Sequence, residues 1–331
     1  MRFRGWMITS RQDGSAAEWK ELALAELPEG DVLVRVQATG LNYKDALAMT
    51  GRGKVVRAFP MVPGIDLAGI VAESRSPRWR PGDRVLLTGW GAGEAHWGGF
   101  AEYARVRAEW LTPLPAGFTP ERAMTAGTAG FTAMLAVMAL EDAGVTPERG
   151  EIAVTGAGGG VGGFAIALLA ALGYAVTAVT RREALAPYLR SLGARAVIPP
   201  AALGDPQKPL QSERWAGAVD AVGGGTLAAL LAATAYRGCV AACGLAGSAG
   251  LPGTVFPFIL RGVRLTGIDS VYCPQPLREK AWPRLAALVP ATAWEEIGEA
   301  APLEEALTRS EALLRGEARG RTVFRIGSAN P

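Results

Sequence analysis

The sequence predicts an α/β protein in which a doubly wound parallel-sheet domain is inserted into a β-rich domain, and three observations carry that expectation. Residues 152–163, IAVTGAGGGVGG, run from a short apolar stretch into a glycine-rich turn, and FAIALLAA at 164–171 follows as a strong helix former. Strand and helix signals then alternate to about residue 268, the rhythm of a parallel sheet covered by helices. Before residue 125 the chain shows short strand signals separated by Pro and Gly, the pattern of a barrel or sandwich.

In chain order, DVLVRVQAT at 31–39 alternates Val32, Val34 and Val36 on one face, the period of a half-buried strand. GIDLAGIVAE at 64–73 is a second strand signal, and PGDRVLL at 81–87 is a turn feeding a third. Residues 127–143 read as a helix, with Phe131, Met134, Leu135 and Met138 at helical spacing. Strands are then expected at 152–155, 174–180, 196–198, 217–221, 238–243 and 264–268, and helices at 162–172, 182–192 and 226–235. A helix at 303–316 and a strand at 322–326 follow, the strand rejoining the first domain. The expected limits are 1–124 for the first part of the β-rich catalytic domain, 125–270 for the nucleotide-binding domain and 271–331 for the return. A ligand cleft is expected between the domains.

Composition bounds the function. Of 331 residues, 49% are hydrophobic and 20% charged, as in folded globular proteins. A net charge of +3 gives no reason to expect nucleic acid or an anionic membrane as partner. Three cysteines cannot build a disulfide framework, which favours a reducing cytoplasm. The opening residues MRFRGWMITSRQDG carry charge without the apolar core of a leader. The longest apolar tract, 164–180, is cut by Gly173 and is better explained as a helix and a strand than as a membrane span. A soluble, cytoplasmic protein is expected.

The glycine turn carries the first chemical argument. Backbone N–H groups at a helix start, aided by the helix dipole, form an anion site, and glycine lets a pyrophosphate approach the backbone. Aligned on GGVG, the pattern has Ala157 in the place of the first glycine; a shifted frame, Gly158, Gly160 and Gly163, fits G-x-G-x-x-G literally. A plain turn would also use glycine, but the βαβ context completed by YAVTAVT at 174–180 favours a dinucleotide site. At the end of that second strand NAD sites usually place a carboxylate. Here stand Thr180, Arg181 and Arg182, a hydroxyl and two guanidinium groups suited to a 2′-phosphate. The pair of arginines would also serve as solvated surface charge. The pattern favours NADPH over NADH.

With these segments placed, the chain resembles the medium-chain dehydrogenase/reductase superfamily: VPGIDLAG at 62–69, PGDRV at 81–85 and GGVG at 159–162 carry the likeness. More narrowly it is similar to the acryloyl-CoA reductases, also called quinone oxidoreductases, through LNYKDALAMTG at 41–51, LLTGWGAGEAHWGGFAEYARV at 86–106 and WAGAVDAVGG at 215–224. VAACGLAGS at 240–248 and PFILRGVRLTGIDSV at 257–271 extend it nearly end to end. The resemblance implies a Rossmann domain inserted into a GroES-like domain, and NADPH-dependent reduction of a conjugated C=C bond, foremost in acryloyl-CoA. It also implies a cytoplasmic homodimer. By motif matching, Tyr43 is implied to contact the cofactor, Gly158, Gly159, Gly160 and Val161 its pyrophosphate, and Thr180, Arg181 and Arg182 its adenosine phosphate. Leu245 and Ser270 are implied to line the nicotinamide side. Relatives often carry Ser at position 158 and Ser-Gly at 180–181; the second difference adds charge where the phosphate would lie.

Zinc members of the superfamily need Cys and His ligands. The chain has one histidine, His96, its cysteines Cys239, Cys243 and Cys273 fall late, and NYKD stands where those enzymes offer a catalytic cysteine; no metal is expected. A conjugated thioester needs no Lewis acid: hydride adds to Cβ, charge collects on the carbonyl oxygen, and the protein must orient the partners and stabilise that charge. Asn42, Tyr43 and Asp45, on a loop after the 31–39 strand, are the catalytic candidates. Asn42 would donate to the carbonyl, Tyr43 would hold the cofactor or donate a proton, and Asp45 would fix the loop. The same three residues would also suit an Asx turn with an exposed tyrosine. His96 is expected to hold its own loop, and Arg321 to lie at the surface, where it could reach a phosphate. A small-molecule substrate, acyl-CoA or quinone, is expected; the competing accounts are an NADPH:quinone reductase and a catalytically silent NADPH sensor.

Overall fold

The computed structural model describes residues 1–11 and 14–327. The chain divides into two compact units: 1–128 with 270–283 and 298–331, and 129–269 with 284–297.

The first unit begins with a hairpin, β1 (Arg2–Arg11) and β2 (Gly14–Ala23), paired in register from Arg2↔Ala23. No strand is expected here from the sequence pattern; the structure buries Phe3, Trp6, Met7 and Ile8 without alternation. β3 (Val32–Gly40), the short helix α1 (Tyr43–Met49), β4 (Asp66–Ser74), β5 (Arg84–Thr88), β6 (Tyr103–Val106) and β7 (Thr112–Pro113) follow. β3, β4, β5 and β7 pair in that order, antiparallel, and β6 also pairs with β3. Val32, Val34 and Val36 face a core shared with Leu67, Val85 and Phe100. α1 replaces the loop expected at 42–45: Asn42 has extended φ/ψ, and the N-x-x-D spacing is that of a capping box.

Helix α2 (Pro120–Asp142) starts seven residues before the expected helix, with Pro120 in its first turn. It is broken at Gly127, whose φ of 49° and ψ of −150° are not helical. It is long and apolar enough to cross a membrane, yet 89% of its most apolar window is buried inside the protein, as in a core helix.

The second unit is a βα alternation: β8 (Glu151–Val154), α3 (Gly160–Ala171), β9 (Val176–Val179), α4 (Ala186–Ser191), β10 (Ala196–Ile198), β11 (Trp215–Asp220), α5 (Gly224–Ala233), β12 (Thr234–Ala242), α6 (Phe256–Arg261) and β13 (Arg264–Gly267). All pairs are parallel and the spatial order is β10-β9-β8-β11-β12-β13. Renumbered from β8, this is the 3-2-1-4-5-6 order of a dinucleotide-binding sheet, whose direction of winding reverses between β8 and β11. The 182–192 helix is realised as a 3₁₀ turn at Glu183–Leu185 followed by α4.

Helix α7 (Gln275–Leu288) contains Pro283, the last residue of its stretch of the first unit. α8 (Ala291–Ile297) belongs to the second unit, where Trp294 meets Phe164 of α3 edge-on at 5.4 Å. Residues 271–331 are therefore not one uninterrupted return; 284–297 pack with the nucleotide-type sheet. β14 (Gly298–Pro302), α9 (Ala306–Leu314) and β15 (Arg321–Arg325) complete the first unit, with β15 antiparallel to β3.

Candidate active site

In the second unit the anion site is built at the point where the sheet reverses. Gly156, at φ 59°, turns the chain out of β8, and α3 begins at Gly160. A Cβ at Gly162 would stand 2.5 Å from the Gly156 carbonyl oxygen, so this glycine lets the helix close on the turn. A Cβ at Gly159 would meet nothing nearer than 3.4 Å, leaving space over the first helical N–H groups of Gly160 and Val161. The turn is braced from the neighbouring strand: Thr155 Oγ1 donates to Asp220 Oδ1 at 2.5 Å, and Gly223 N donates to Asp220 Oδ2 at 2.8 Å. Burial raises the Asp220 carboxyl above its ordinary value. A cradle of open glycine backbone with a braced floor fits a pyrophosphate.

Thr180 lies buried at the end of β9, and its hydroxyl accepts from Arg182 N at 3.1 Å. The Arg182 side chain folds back over the glycine turn, its Nη2 donating to Gly158 O at 3.4 Å, while Arg181 is exposed. Burial lowers Arg182 from its ordinary value. Two guanidinium groups beside the turn, one against it and one in solvent, suit a phosphate on the adenosine ribose. Leu245 is exposed on the segment after β12, which Ala246 N→Ala221 O and Gly247 N→Val222 O hold against the end of β11.

In the first unit Asn42, Asp45 and Arg321 form one buried network with Asp66, a residue not singled out from sequence. Asn42 Nδ2 donates to Asp66 Oδ2 at 2.8 Å and to Gly40 O at 3.3 Å, and its Oδ1 accepts from Arg321 Nη1 at 2.8 Å. Both ends of the amide are thus engaged inside the protein; Asn42 positions the helix start rather than offering its amide to a substrate carbonyl. Asp45 accepts from Asn42 N and Ile65 N, each at 2.9 Å. With 1% exposure it is closed off from solvent, and its two donors make it a fixing point for the turn. Tyr43 stands outside this network and is 54% exposed.

Arg321 corrects the expectation of a surface arginine. It is 4% exposed, lies 3.2 Å from Asp66, and donates to the carbonyls of Leu41, Met124 and Thr125. Asp66 also accepts from Thr128 N at 2.8 Å and Thr128 Oγ1 at 2.6 Å. The ion pair therefore fills the break in α2: the guanidinium takes carbonyls ending the first half, and the carboxylate caps the second half. A Cβ at Gly127 would reach within 2.5 Å of Arg321 Nη2, which explains the glycine.

Ser270 is tied into the same unit by a second buried arginine. Arg278 donates to the carbonyls of Ser270, Val271 and Cys273 and to both oxygens of Thr88, and its guanidinium lies 4.8 Å from the Trp90 ring centre. The chain of contacts runs on to Asp45: Trp90 N donates to Val271 O, Gly89 N to Ile65 O, and Ile65 N to Asp45. One hydrogen-bonded path thus connects the Tyr43 turn to Ser270. His96 is bonded to Arg105 O at 2.7 Å and sits edge-on to Trp110, and burial lowers its pKa. Its ring is used to hold a loop.

Burial raises Asp45 to about 7, the nearby Asp66 carboxylate adds to the rise, and the amide donors oppose it. The folded-state value exceeds the ordinary 3.8, so between the two the native state binds more protons than the unfolded chain. The contribution of Asp45 to stability is then greatest in acid, falls as pH rises from about 4 towards 7 and is lost above. Asp45→Asn is expected to flatten that slope by a few kcal/mol, read from urea midpoints between pH 4 and 8; equal slopes in the two proteins would contradict it.

A six-stranded parallel sheet with a glycine turn at its reversal point, in a chain whose other unit is β-rich and carries an exposed tyrosine at a fixed helix start, defines a nucleotide-dependent oxidoreductase. Residues 28–116 match the Alcohol dehydrogenase GroES-like domain family and residues 160–288 the Zinc-binding dehydrogenase family. The chain is 52% identical to the acrylyl-CoA reductase AcuI of Ruegeria pomeroyi, over 93% of its own length and 94% of that protein's. Among solved structures, the yhdH oxidoreductase from Salmonella enterica in complex with NADP is 50% identical, with a TM-score of 0.96 over 99% of this chain and 100% of that one. The Bacillus subtilis protein yhfP, solved with NAD bound, is 41% identical, with a TM-score of 0.95 over 98% and 100%. The chain belongs to the acrylyl-CoA reductase family of the medium-chain dehydrogenase/reductase superfamily.

Proposed function

We propose that the protein reduces the conjugated C=C bond of acryloyl-CoA, or of a similar short enoyl-CoA, with NADPH and without zinc. When bound, NADPH supplies the hydride that adds to Cβ of the thioester. Gly158, Gly159, Gly160 and Val161 would hold its pyrophosphate, Thr180, Arg181 and Arg182 its 2′-phosphate, and Leu245 and Ser270 the nicotinamide end. Tyr43, exposed at the helix start that Asn42 and Asp45 fix, is the group that would meet cofactor and substrate. Its hydroxyl would orient the thioester or pass the proton that reaches Cα. The likeness to acrylyl-CoA reductase over nearly the whole chain, joined to the arginine pair at the end of β9, carries this reading.

The donor set supports the zinc-free reading, and Cys243, the one partly exposed cysteine, gives its Sγ to the Asp220 carbonyl. His96 is the one histidine and its Nε2 is bonded to a backbone carbonyl, while Cys239 and Cys273 are buried. Among the described residues no three His, Cys, Asp or Glu side chains gather where they could hold a metal.

The test is NADPH oxidation against acryloyl-CoA, crotonyl-CoA and a benzoquinone. Consumption with acryloyl-CoA supports the reading; consumption with the quinone alone would replace it by quinone reduction, and none with any acceptor by a silent sensor. We also propose a cytoplasmic homodimer. α6 exposes Phe256, Ile259 and Leu260 beside the edge strand β13, an apolar face of the kind a second copy covers. A single-chain mass by light scattering would contradict the dimer.

A further inference from the structure

Four cations, Lys44, Arg52, Lys54 and Arg57, fall within fourteen residues, and the one carboxylate in that stretch, Asp45, is buried. The whole chain carries a net charge of only +3, so this is a concentrated excess. The stretch follows Tyr43 directly. Lys44 Nζ lies 2.8 Å and Arg57 Nη2 4.0 Å from the Glu94 carboxylate, so one acid joins the start of α1 to the far end of the loop. Both cations keep an open side, at 43% and 66% side-chain exposure. Glu94 offsets one positive charge, and the remaining ones face solvent.

Beyond the C-terminal end of α1, Arg52, Lys54, Val56 and Phe59 line a depression of about 420 Å³ together with Ala48, Gly51 and Gly53, and Gly14 and Ser15 at the start of β2. Phe59 is 44% exposed, so its ring offers an accessible apolar surface at the edge of the depression. An aromatic wall flanked by two cations matches a nucleobase that carries phosphates: the ring offers a stacking surface and the cations offer charge-assisted hydrogen bonds. At a rise of about 1.5 Å per residue, α1 sets the depression about 10 Å from Tyr43, and the pantetheine arm of CoA spans such an interval.

We propose that this depression binds the phosphorylated adenosine end of the CoA thioester, with the base on Phe59 and the phosphates on Arg52 and Lys54. Lys44 and Arg57 supply positive charge between it and the reacting end. The assignment rests on the acyl-CoA reading given above, and it explains how the protein would favour a CoA ester over a bare enone or a quinone, which carry no such handle.

The test compares acryloyl-CoA with acryloyl-pantetheine, which lacks the phosphoadenosine, in the wild type and in Arg52→Ala/Lys54→Ala. The wild type is expected to show the higher kcat/KM for the CoA ester. The double variant is expected to lose at least about tenfold of that preference, through KM, because two charge-assisted contacts are removed. Added salt should raise KM for the CoA ester more than for the pantetheine ester. Binding of adenosine 3′,5′-bisphosphate is measured by calorimetry in saturating NADP⁺, which blocks the cofactor's own phosphate sites. Binding that the double variant loses supports the assignment. No binding to the wild type, or an unchanged ester preference in the variant, overturns it. Failure of both thioesters to oxidise NADPH would instead remove the reductase reading, with the calorimetry still deciding the adenosine site.

Discussion

Replacing Arg321 with methionine is expected to destabilise the first unit by about 3–5 kcal/mol, the usual result of breaking a buried ion pair from one side. Methionine matches much of the volume, so packing loss is a minor part. The loss arises because Asn42 Oδ1 and the carbonyls of Leu41, Met124 and Thr125 are left buried without their donor. Asp66 keeps three donors, from Thr128 N, Thr128 Oγ1 and Asn42 Nδ2, which limits the damage at the carboxylate. Asp66→Asn alone is expected to be destabilising too, because it strands the guanidinium. The double variant should cost less than the sum of the two, since the residues share one network. Thermal melts monitored by circular dichroism would show a fall on the order of 10 °C for Arg321→Met. A loss under about 1 kcal/mol would mean that the pair does not organise the helix break.

Arg181→Ala combined with Arg182→Ala is expected to raise KM for NADPH about a hundredfold and to leave KM for NADH nearly unchanged. Each guanidinium on a 2′-phosphate is worth about 1.5–3 kcal/mol as a charge-assisted hydrogen bond, and NADH has no phosphate there to lose. Arg182 should account for the larger share. Its side chain already lies against the Gly158 carbonyl, so less freedom is lost on binding, whereas Arg181 starts in solvent. Equal losses for the two cofactors would show that the arginines act on something other than the phosphate. The comparison has a natural counterpoint in yhfP, a 41% identical structure with NAD bound.

The βα half of the molecule was legible because each element carries its own local signal. The 196–198 strand coincides with β10, and the glycine turn sits between β8 and α3 as its spacing implied. Elements whose stability is tertiary left a weaker trace. β1 and β2 pair with each other at full length, yet their apolar residues do not alternate, so the period test fails. α7 carries Pro283 and α8 is only seven residues long, so neither pattern announces a helix, nor that the chain passes to the second unit at residue 284.

At the site, residue types were readable and their partners were not. Asn42, Tyr43 and Asp45 stand together at one helix start, but that Asn42 is consumed by Asp66 and Arg321 follows from contacts 24 and 279 positions away in sequence. A signal did exist. Asp66 lies inside the apolar run GIDLAGIV and Asp220 inside GAVDAV, and a carboxylate buried in a strand needs donors. The structure supplies those donors from Thr128 and Thr155, 62 and 65 positions away. Arg321, beside the glycine of GRTVF, resembles any arginine flanking an edge strand until β15 is seen beside β3.

The central claim is met most directly by label transfer. Acryloyl-CoA is reduced with NADPH deuterated at the transferring position of C4, and the product is analysed by mass spectrometry and NMR. One deuterium at C3 of propanoyl-CoA, with the C2 proton drawn from solvent, is the predicted result. Deuterium at C2, deuterium lost to water, or no saturated thioester at all would contradict it.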